Sequence, residues 1–199
     1  MAAVSERIEK IIQTIKDERR RFYVFCLSLS DEELARPVPN STWTVKDFIP
    51  HLGTLDTQII RWFEGVAAGI PDETIRDSEG APFNIDNWND RAVAERRDWT
   101  VEQTLDEAEA NREQLIATLE RLTDENIETI VHFSGDNKRP AAKVPLKFFL
   151  SGWAHHDAIH VADMLKALPE RANDPEMRAW LDHPAVTWYQ KAMEGPAVR

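Results

Sequence analysis

"LKFFLSGWAHHDAIHVADMLKAL", residues 146–168, decides how this chain is read. Its apolar residues recur at helical spacing, and Pro145 just before it suits the first turn of a helix. Phe149, Trp153, His156, His160 and Met164 fall near one stripe of that helix, with Asp163 beside it. Three of the six histidines of the chain lie within six positions here. His156 and His160 are four apart and so sit one turn apart on one face, whereas His155 is about 100° round and points elsewhere. Since the stripe is otherwise apolar, the pair is expected to face the interior of the structure. A buried imidazole needs a partner for each ring nitrogen, and either a hydrogen-bonding neighbour or a metal ion can supply one. Two ligands do not make a site, so a third must come from another segment.

Working outward, the rest of the chain also reads as helix after helix, with only seven glycines and little strand alternation. A first helix is expected over about 4–29, with an apolar stripe of Val4, Ile8, Ile11, Ile12, Ile15, Phe22 and Phe25. Ser30 with Glu33 forms a capping-box pattern for a short turn that ends near Pro37 and Pro39. A second helix is expected from Thr44, with Asp47 as its acidic N3 partner, carrying Phe48, His51, Leu52, Leu55, Ile59, Trp62 and Phe63. Pro50 is its oddity, since a proline that far into a helix removes a donor and kinks it. Residues 69–83 form the longest irregular stretch. Helix resumes over about 85–122, broken near Trp99 and recapped at Thr100, with Leu105, Ala108, Leu115, Leu119 and Leu122 on its later face. Residues 123–143 read as loop, with SGDNKRP the clearest turn. The tail, 174–193, is expected to add one or two short helices. Four long helices with a long second-to-third crossover predict an all-α four-helix bundle. The expected organisation is one domain over 1–199, with the bundle at about 4–168 and a helical extension over about 169–199.

Composition bounds the function. The chain of 199 residues is 42% hydrophobic and 30% charged, which is ordinary for a globular protein. No apolar run approaches the roughly 20 residues that span a bilayer, and MAAVSERIEKII has no signal-peptide core, so no membrane association is expected. A single cysteine, Cys26, fits a reducing cytoplasm. The net charge of −11 opposes nucleic-acid binding, and the basic cluster Lys16, Arg19, Arg20 and Arg21, diluted by Asp17 and Glu18, reads as a solvated helix face.

The third candidate ligand is His51, which shares a stripe with Phe48, Leu52, Leu55 and Ile59 on the second helix. The second and fourth helices can then bring three imidazoles to a common point. Three neutral nitrogen donors suit zinc, nickel or a related divalent ion and leave a coordination position open. The other reading, histidines hydrogen-bonded within the core, stands beside it. His132 and His183 lie in loop contexts and are expected at the surface, while His155 is expected to pack on a neighbouring helix or meet solvent. Cys26, within YVFCL, reads as core, as do Trp62, Phe83, Trp88 and Trp153, which can still line one wall of a pocket. Asp157 stands where a zinc protease of the H-E-x-x-H type would carry glutamate, and no G-x-S-x-G, P-loop or G-x-G-x-x-G stretch is present.

Three stretches carry a family resemblance. STWTVKDFIPHLGTLD (41–56) resembles the W-[ST]-x-x-[DE]-x-[LIV]-x-H-[LIV] segment of the DinB/YfiT-like superfamily. FNIDNWNDRAVAERRDWT (83–100) resembles the F-N-x-x-x-N opening of its third helix, and HHDAIHVADM (155–164) its H-x-x-x-H-x-x-[QD] motif. The resemblance implies a four-helix bundle, often a homodimer, with a divalent metal held by three histidines that match His51, His156 and His160. It implies activities such as S-transfer or isomerisation with mycothiol, bacillithiol or glutathione, the metal activating the thiolate. It does not imply DNA binding. Two departures stand out: Pro50 directly before His51, and the absence of Gly-Gln after His160, where the chain reads Val161-Ala162-Asp163. Asp163 can instead act as the acceptor that fixes an imidazole tautomer. Asp56 and Asp157 are weaker candidates for that role, expected to be solvated.

The expectation is a metal-dependent thiol transferase or isomerase acting on a small electrophile, with no residue marked as general base. A hydrolase using the same ligands, and a non-catalytic stress-related binding protein, are the alternatives.

Overall fold

Residues 4–69, 84–133 and 141–194 are described in the structure, a computed structural model. Phe83 and the SGDNKRP turn lie outside the described residues, as does all of the 69–83 stretch except Gly69. Helix α1 (Glu6–Leu27) opens on Ser5, whose hydroxyl accepts from the Ile8 N–H, and α2 (Asp31–Leu34) opens on the Ser30–Glu33 capping box. Then follow α3 (Phe48–Thr54), α4 (Asp56–Ala67) and α5 (Ile85–Glu95). The predicted break near Trp99 is present, and a Thr100–Gln103 capping box starts α6 (Val101–Leu119). After α7 (Asp124–Glu128), strands β1 (Ile130–Phe133) and β2 (Ala142–Pro145) pair antiparallel, with Ile130 opposite Pro145. The chain ends with α8 (Leu146–Ala154), α9 (His156–Met164), a 3₁₀ turn, α10 (Pro169–Ala172), α11 (Pro175–Leu181) and α12 (Pro184–Glu194).

Five local expectations are corrected. The second helix begins at Phe48, because the Thr44 N–H and hydroxyl both donate to the Asp47 carboxylate at 2.8 Å and hold a turn ahead of it. Pro50 therefore lies in the first turn, where its missing N–H has no intrahelical acceptor to lose, and the break comes at Leu55 instead. Two hydroxyls stabilise that break: Thr54 Oγ1 donates to the Pro50 carbonyl and Thr57 Oγ1 to the Thr54 carbonyl. The fourth helix is likewise two helices, interrupted at His155 (φ −106°, ψ 15°). Residues 123–143 include α7 and two strands rather than only loop, and Pro145 closes β2 and precedes the helix.

The bundle is formed by α1, the α3–α4 pair, α6 and the α8–α9 pair. α1 packs on α6 and on α8–α9, and α3–α4 packs on α6, with α3 also on α9. Two apolar clusters stack along the axis. One includes Phe22, Phe25, Phe48, Leu52, Leu105, Val161 and Met164, and the other Ile8, Ile12, Ile15, Leu55, Ile59, Leu115, Leu119, Leu150 and Trp153. Chain direction follows from these memberships. α1 and α8–α9 run from the second cluster to the first, while α3–α4 and α6 run the opposite way. Successive long helices two and three are therefore parallel, and α5, which lies between them in the chain, packs on α3.

Each long element carries a charged residue where one cluster gives way to the other: Arg19, Asp56, Arg112 and Asp157, all buried. Gly53 lets α3 approach α6, since a Cβ there would stand 2.9 Å from the Ala108 Cβ.

Candidate metal centre

His51 lies on α3, while His156 opens α9 and His160 follows one turn later. The breaks at Leu55 and His155 lie close to these ligands in sequence, and all three rings converge on one point. Ring centroids are 4.7 Å apart for His51–His160 and for His156–His160, and 5.5 Å for His51–His156. One nitrogen from each ring lies within 4.8 Å of the others. The structure thus brings together the three histidines singled out in the sequence.

The hydrogen bonds around the rings fix their tautomers. Asn89 Oδ1, an acceptor, lies 2.9 Å from His51 Nδ1, and Asp163 Oδ2 lies 3.1 Å from His160 Nδ1. Each Nδ1–H therefore donates, leaving each Nε2 with its lone pair. These two Nε2 atoms face each other at 3.2 Å. Two lone pairs at that distance need a positive centre between them, a shared proton or a cation. Two nitrogens each about 2.0–2.1 Å from a tetrahedral ion would be separated by about 3.3 Å, so the spacing fits a metal. His156 adds a third donor, and its Nδ1 is buried without a hydrogen-bond partner.

Burial, then the neighbouring His160, lowers His51 to a pKa of about 3. Burial, followed by His160 and His51, also holds His156 well below the ordinary histidine value. Both rings are neutral at neutral pH, the state a metal ligand requires. Burial raises the Asp163 pKa, but hydrogen bonds from His160, Lys166 and Gln190 outweigh it and bring the group to about 2. A carboxylate thus stands behind His160, as its spacing in the sequence suggested.

The His156 ring stacks on Trp153, with centroids 4.3 Å apart and planes 15° from parallel. The Trp153 indole N–H donates to Asp56 Oδ1 at 3.3 Å. Asp56 and Asp157, expected to be solvated, are instead 0% and 1% exposed, which corrects that reading. Arg112 reaches Asp56 at 2.6 Å and Asp157 at 3.3 Å, and Arg19 Nε lies 3.1 Å from Asp157. Arg19, grouped in the sequence with a solvated basic face, is buried and also donates to the Leu52 carbonyl at 3.1 Å. Burial pulls the Arg112 pKa down, but the two aspartates outweigh it and raise it, so the guanidinium stays charged. Two acids and two bases form a neutral layer immediately beside the imidazoles.

The remaining histidines fall elsewhere. His155 stacks on His183 with centroids 3.6 Å apart and lies 3.6 Å from Glu18, in keeping with packing on neighbouring elements. His183, expected at the surface, is half-buried because of that stack, and its Nδ1 accepts from the Ala185 N–H. His132 is exposed on β1. Cys26 is core, and burial pushes its thiol well above the usual range, away from the reactive thiolate. Trp62, Trp88 and Trp153 pack in or against the second apolar cluster. Trp43, Phe48 and Tyr189 lie against the His51 and His160 rings.

A family model described as the DinB superfamily matches residues 14–164. No curated protein matches the chain by sequence. Among solved structures, similarity extends to a mycothiol-dependent maleylpyruvate isomerase, at a TM-score of 0.59 and 11% identity over 79% of this chain and 60% of that one. It extends also to YfiT from Bacillus subtilis, a probable metal-dependent hydrolase with an unusual four-helix bundle topology, at a TM-score of 0.61 and 16% identity over 85% of this chain and 92% of that one. The chain therefore spans less than two thirds of the isomerase, and at these identities the likeness is one of fold.

Proposed function

The chain belongs to the DinB superfamily, and from that premise we propose that it is a metal-dependent enzyme that activates a small thiol for attack on a small electrophilic substrate. The observation that carries this reading is the facing pair of Nε2 lone pairs on His51 and His160, 3.2 Å apart, with His156 beside them. His51, His156 and His160 would hold the ion, with zinc or nickel best suited to three neutral imidazoles. When bound, such an ion supplies Lewis acidity that favours a thiolate, or a hydroxide, at neutral pH.

The protein's own groups prepare the site. Asn89 and Asp163 hold two rings with their lone pairs turned inward. Trp153 fixes the plane of the third. Trp43 and Phe48 add aromatic surface around them, which limits water near the nucleophile. Mycothiol, bacillithiol and glutathione are the thiols to consider, mycothiol being the one on which the isomerase of like fold depends. A metal-dependent hydrolase is the second reading, favoured by the fuller two-way coverage with YfiT. We place the protein in the cytoplasm, as a homodimer that does not bind nucleic acid, consistent with its net charge of −11. Among the described residues no helix is long and apolar enough to cross a membrane.

The test is metal content of untagged protein, measured for wild type and His156→Ala, followed by turnover of electrophiles with each thiol. Stoichiometric metal that is lost in the variant, with thiol-dependent turnover, supports the proposal. Thiol-independent ester or amide cleavage selects the hydrolase, and no metal after supplementation rejects both.

A further inference from the structure

The family match ends at residue 164, yet the site does not. Helix α12 lies beyond that span and presents Val186, Tyr189 and Gln190 on one face, at the i, i+3, i+4 spacing of a helix that packs against another. Val186 is buried in the first apolar cluster and Tyr189 packs against it. The Tyr189 ring meets His160 edge to face, with centroids 5.5 Å apart. Gln190 Nε2 donates to Asp163 Oδ1 at 3.1 Å. Lys166 Nζ donates to the same oxygen at 2.7 Å. Both outside donors use Oδ1, which leaves Oδ2 directed at His160 Nδ1, 3.1 Å away.

We propose that α12 is a working part of the site, in which Gln190 acts as a positioning residue: with Lys166 it locks the Asp163 carboxylate so that His160 is held as its Nδ1–H tautomer. The proposal rests on the metal reading above for its effect on affinity, but not for the tautomer itself. A carboxylate free to rotate presents either oxygen at varied angles. One held from behind by two donors presents one oxygen at one angle, and the imidazole follows. Asp163 and His160 have side chains only 15% and 11% exposed, so bulk water is a poor substitute for the Gln190 amide. Lys166, 42% exposed, is the looser of the two donors, which leaves the directional role to Gln190.

The experiment uses full-length Gln190→Met, which keeps an unbranched side chain of similar length and removes the donor. Asp163→Asn is the upper comparison, and Trp188→Ala, 61% exposed on the same helix, the control. Zinc affinity is read by chelator competition, and the His160 tautomer by long-range ¹H–¹⁵N correlation in metal-free protein. Gln190→Met is expected to weaken zinc binding about three- to tenfold, less than the roughly 10–100-fold typical of losing a direct hydrogen-bond partner of a ligand, expected for Asp163→Asn. It should also populate both tautomers of His160, while Trp188→Ala changes neither reading. If Gln190→Met proves unstable, Gln190→Glu, which sets a carboxylate against Asp163, should give the same two changes. Wild-type affinity together with a single His160 tautomer in the Gln190 variants overturns the proposal. Wild-type protein that binds no zinc rejects the metal reading instead, and the tautomer measurement still decides the role of Gln190.

Discussion

His51 Nε2 and His160 Nε2 stand 3.2 Å apart, each the open nitrogen of a ring whose other nitrogen already donates to a fixed acceptor. Replacing any of His51, His156 or His160 with alanine should therefore abolish stoichiometric binding of divalent metal, a loss larger than the 10–100-fold typical of changing a ligand's hydrogen-bond partner. Elemental analysis after dialysis measures it. Retention of one ion per chain in all three variants would contradict the assignment.

Asn89 reaches His51 from α5, which lies between the second and third long helices in the chain. Asn89→Leu removes the acceptor for Nδ1–H and should lower metal affinity by about 10–100-fold without removing a ligand. Calorimetric titration of the metal-free protein gives the value. An unchanged affinity would mean that the ring is held by packing alone.

Breaking the buried ionic layer should be costly. Arg112→Met leaves Asp56 and Asp157 with Arg19 as their counter-ion, at 3.8 and 3.1 Å, so that two buried carboxylates face one cation, and is expected to destabilise by about 3–5 kcal/mol. Replacing Arg19, Asp56, Arg112 and Asp157 together by apolar residues of similar volume should recover most of that loss. Urea denaturation of the two variants separates the cases, and equal destabilisation would refute the argument.

The contact between α3 and α6 gives a steric test. Gly53→Ala brings a Cβ to 2.9 Å from Ala108 Cβ and should cost about 1–3 kcal/mol while moving His51, two residues away. Adding Ala108→Gly should restore both stability and metal binding. Thermal melts and metal titration report the two effects.

Acid stability has a local contribution from Glu33, where hydrogen bonds from Arg171, then from Ser30, lower the pKa from 4.5 to about 2. Because the folded value is depressed, the unfolded chain takes up this proton first. The contribution is full above about pH 4.5 and disappears as pH falls through about 2. The difference in melting temperature between wild type and Glu33→Gln should therefore be constant above pH 5 and shrink towards pH 2. A gap that persists unchanged at low pH would show another origin.

What was legible in the sequence was whatever repeats with a helical period or caps a helix locally. The apolar stripes located α1 and α6, the Ser30–Glu33 spacing and the cap at Thr100 located two helix starts, and four-residue spacing paired His156 with His160. Asp163, three residues from His160, was found for the same reason. Asn89, Arg19, Arg112 and Gln190 were not legible, because each acts on a partner more than 25 residues away and reads within its own helix as a side chain turned to solvent. The breaks at Leu55 and His155 were hidden too. They are stabilised by hydroxyl-to-carbonyl bonds and tertiary contacts, while Pro50, the conspicuous residue, sits where a proline does no harm.

The four charges buried in one layer also fix the height of each helix. Aliphatic surfaces tolerate a slip of one turn along their axes, since one methyl-lined groove resembles the next. Arg19, Asp56, Arg112 and Asp157 do not tolerate it, because a slip would separate each charge from its counter-ion. His156 adjoins Asp157, and His51 lies five residues before Asp56, so the rings inherit that alignment. The protein thus sets the height of its imidazoles from the middle of the bundle, and loops at either end can change length without pulling the three rings apart.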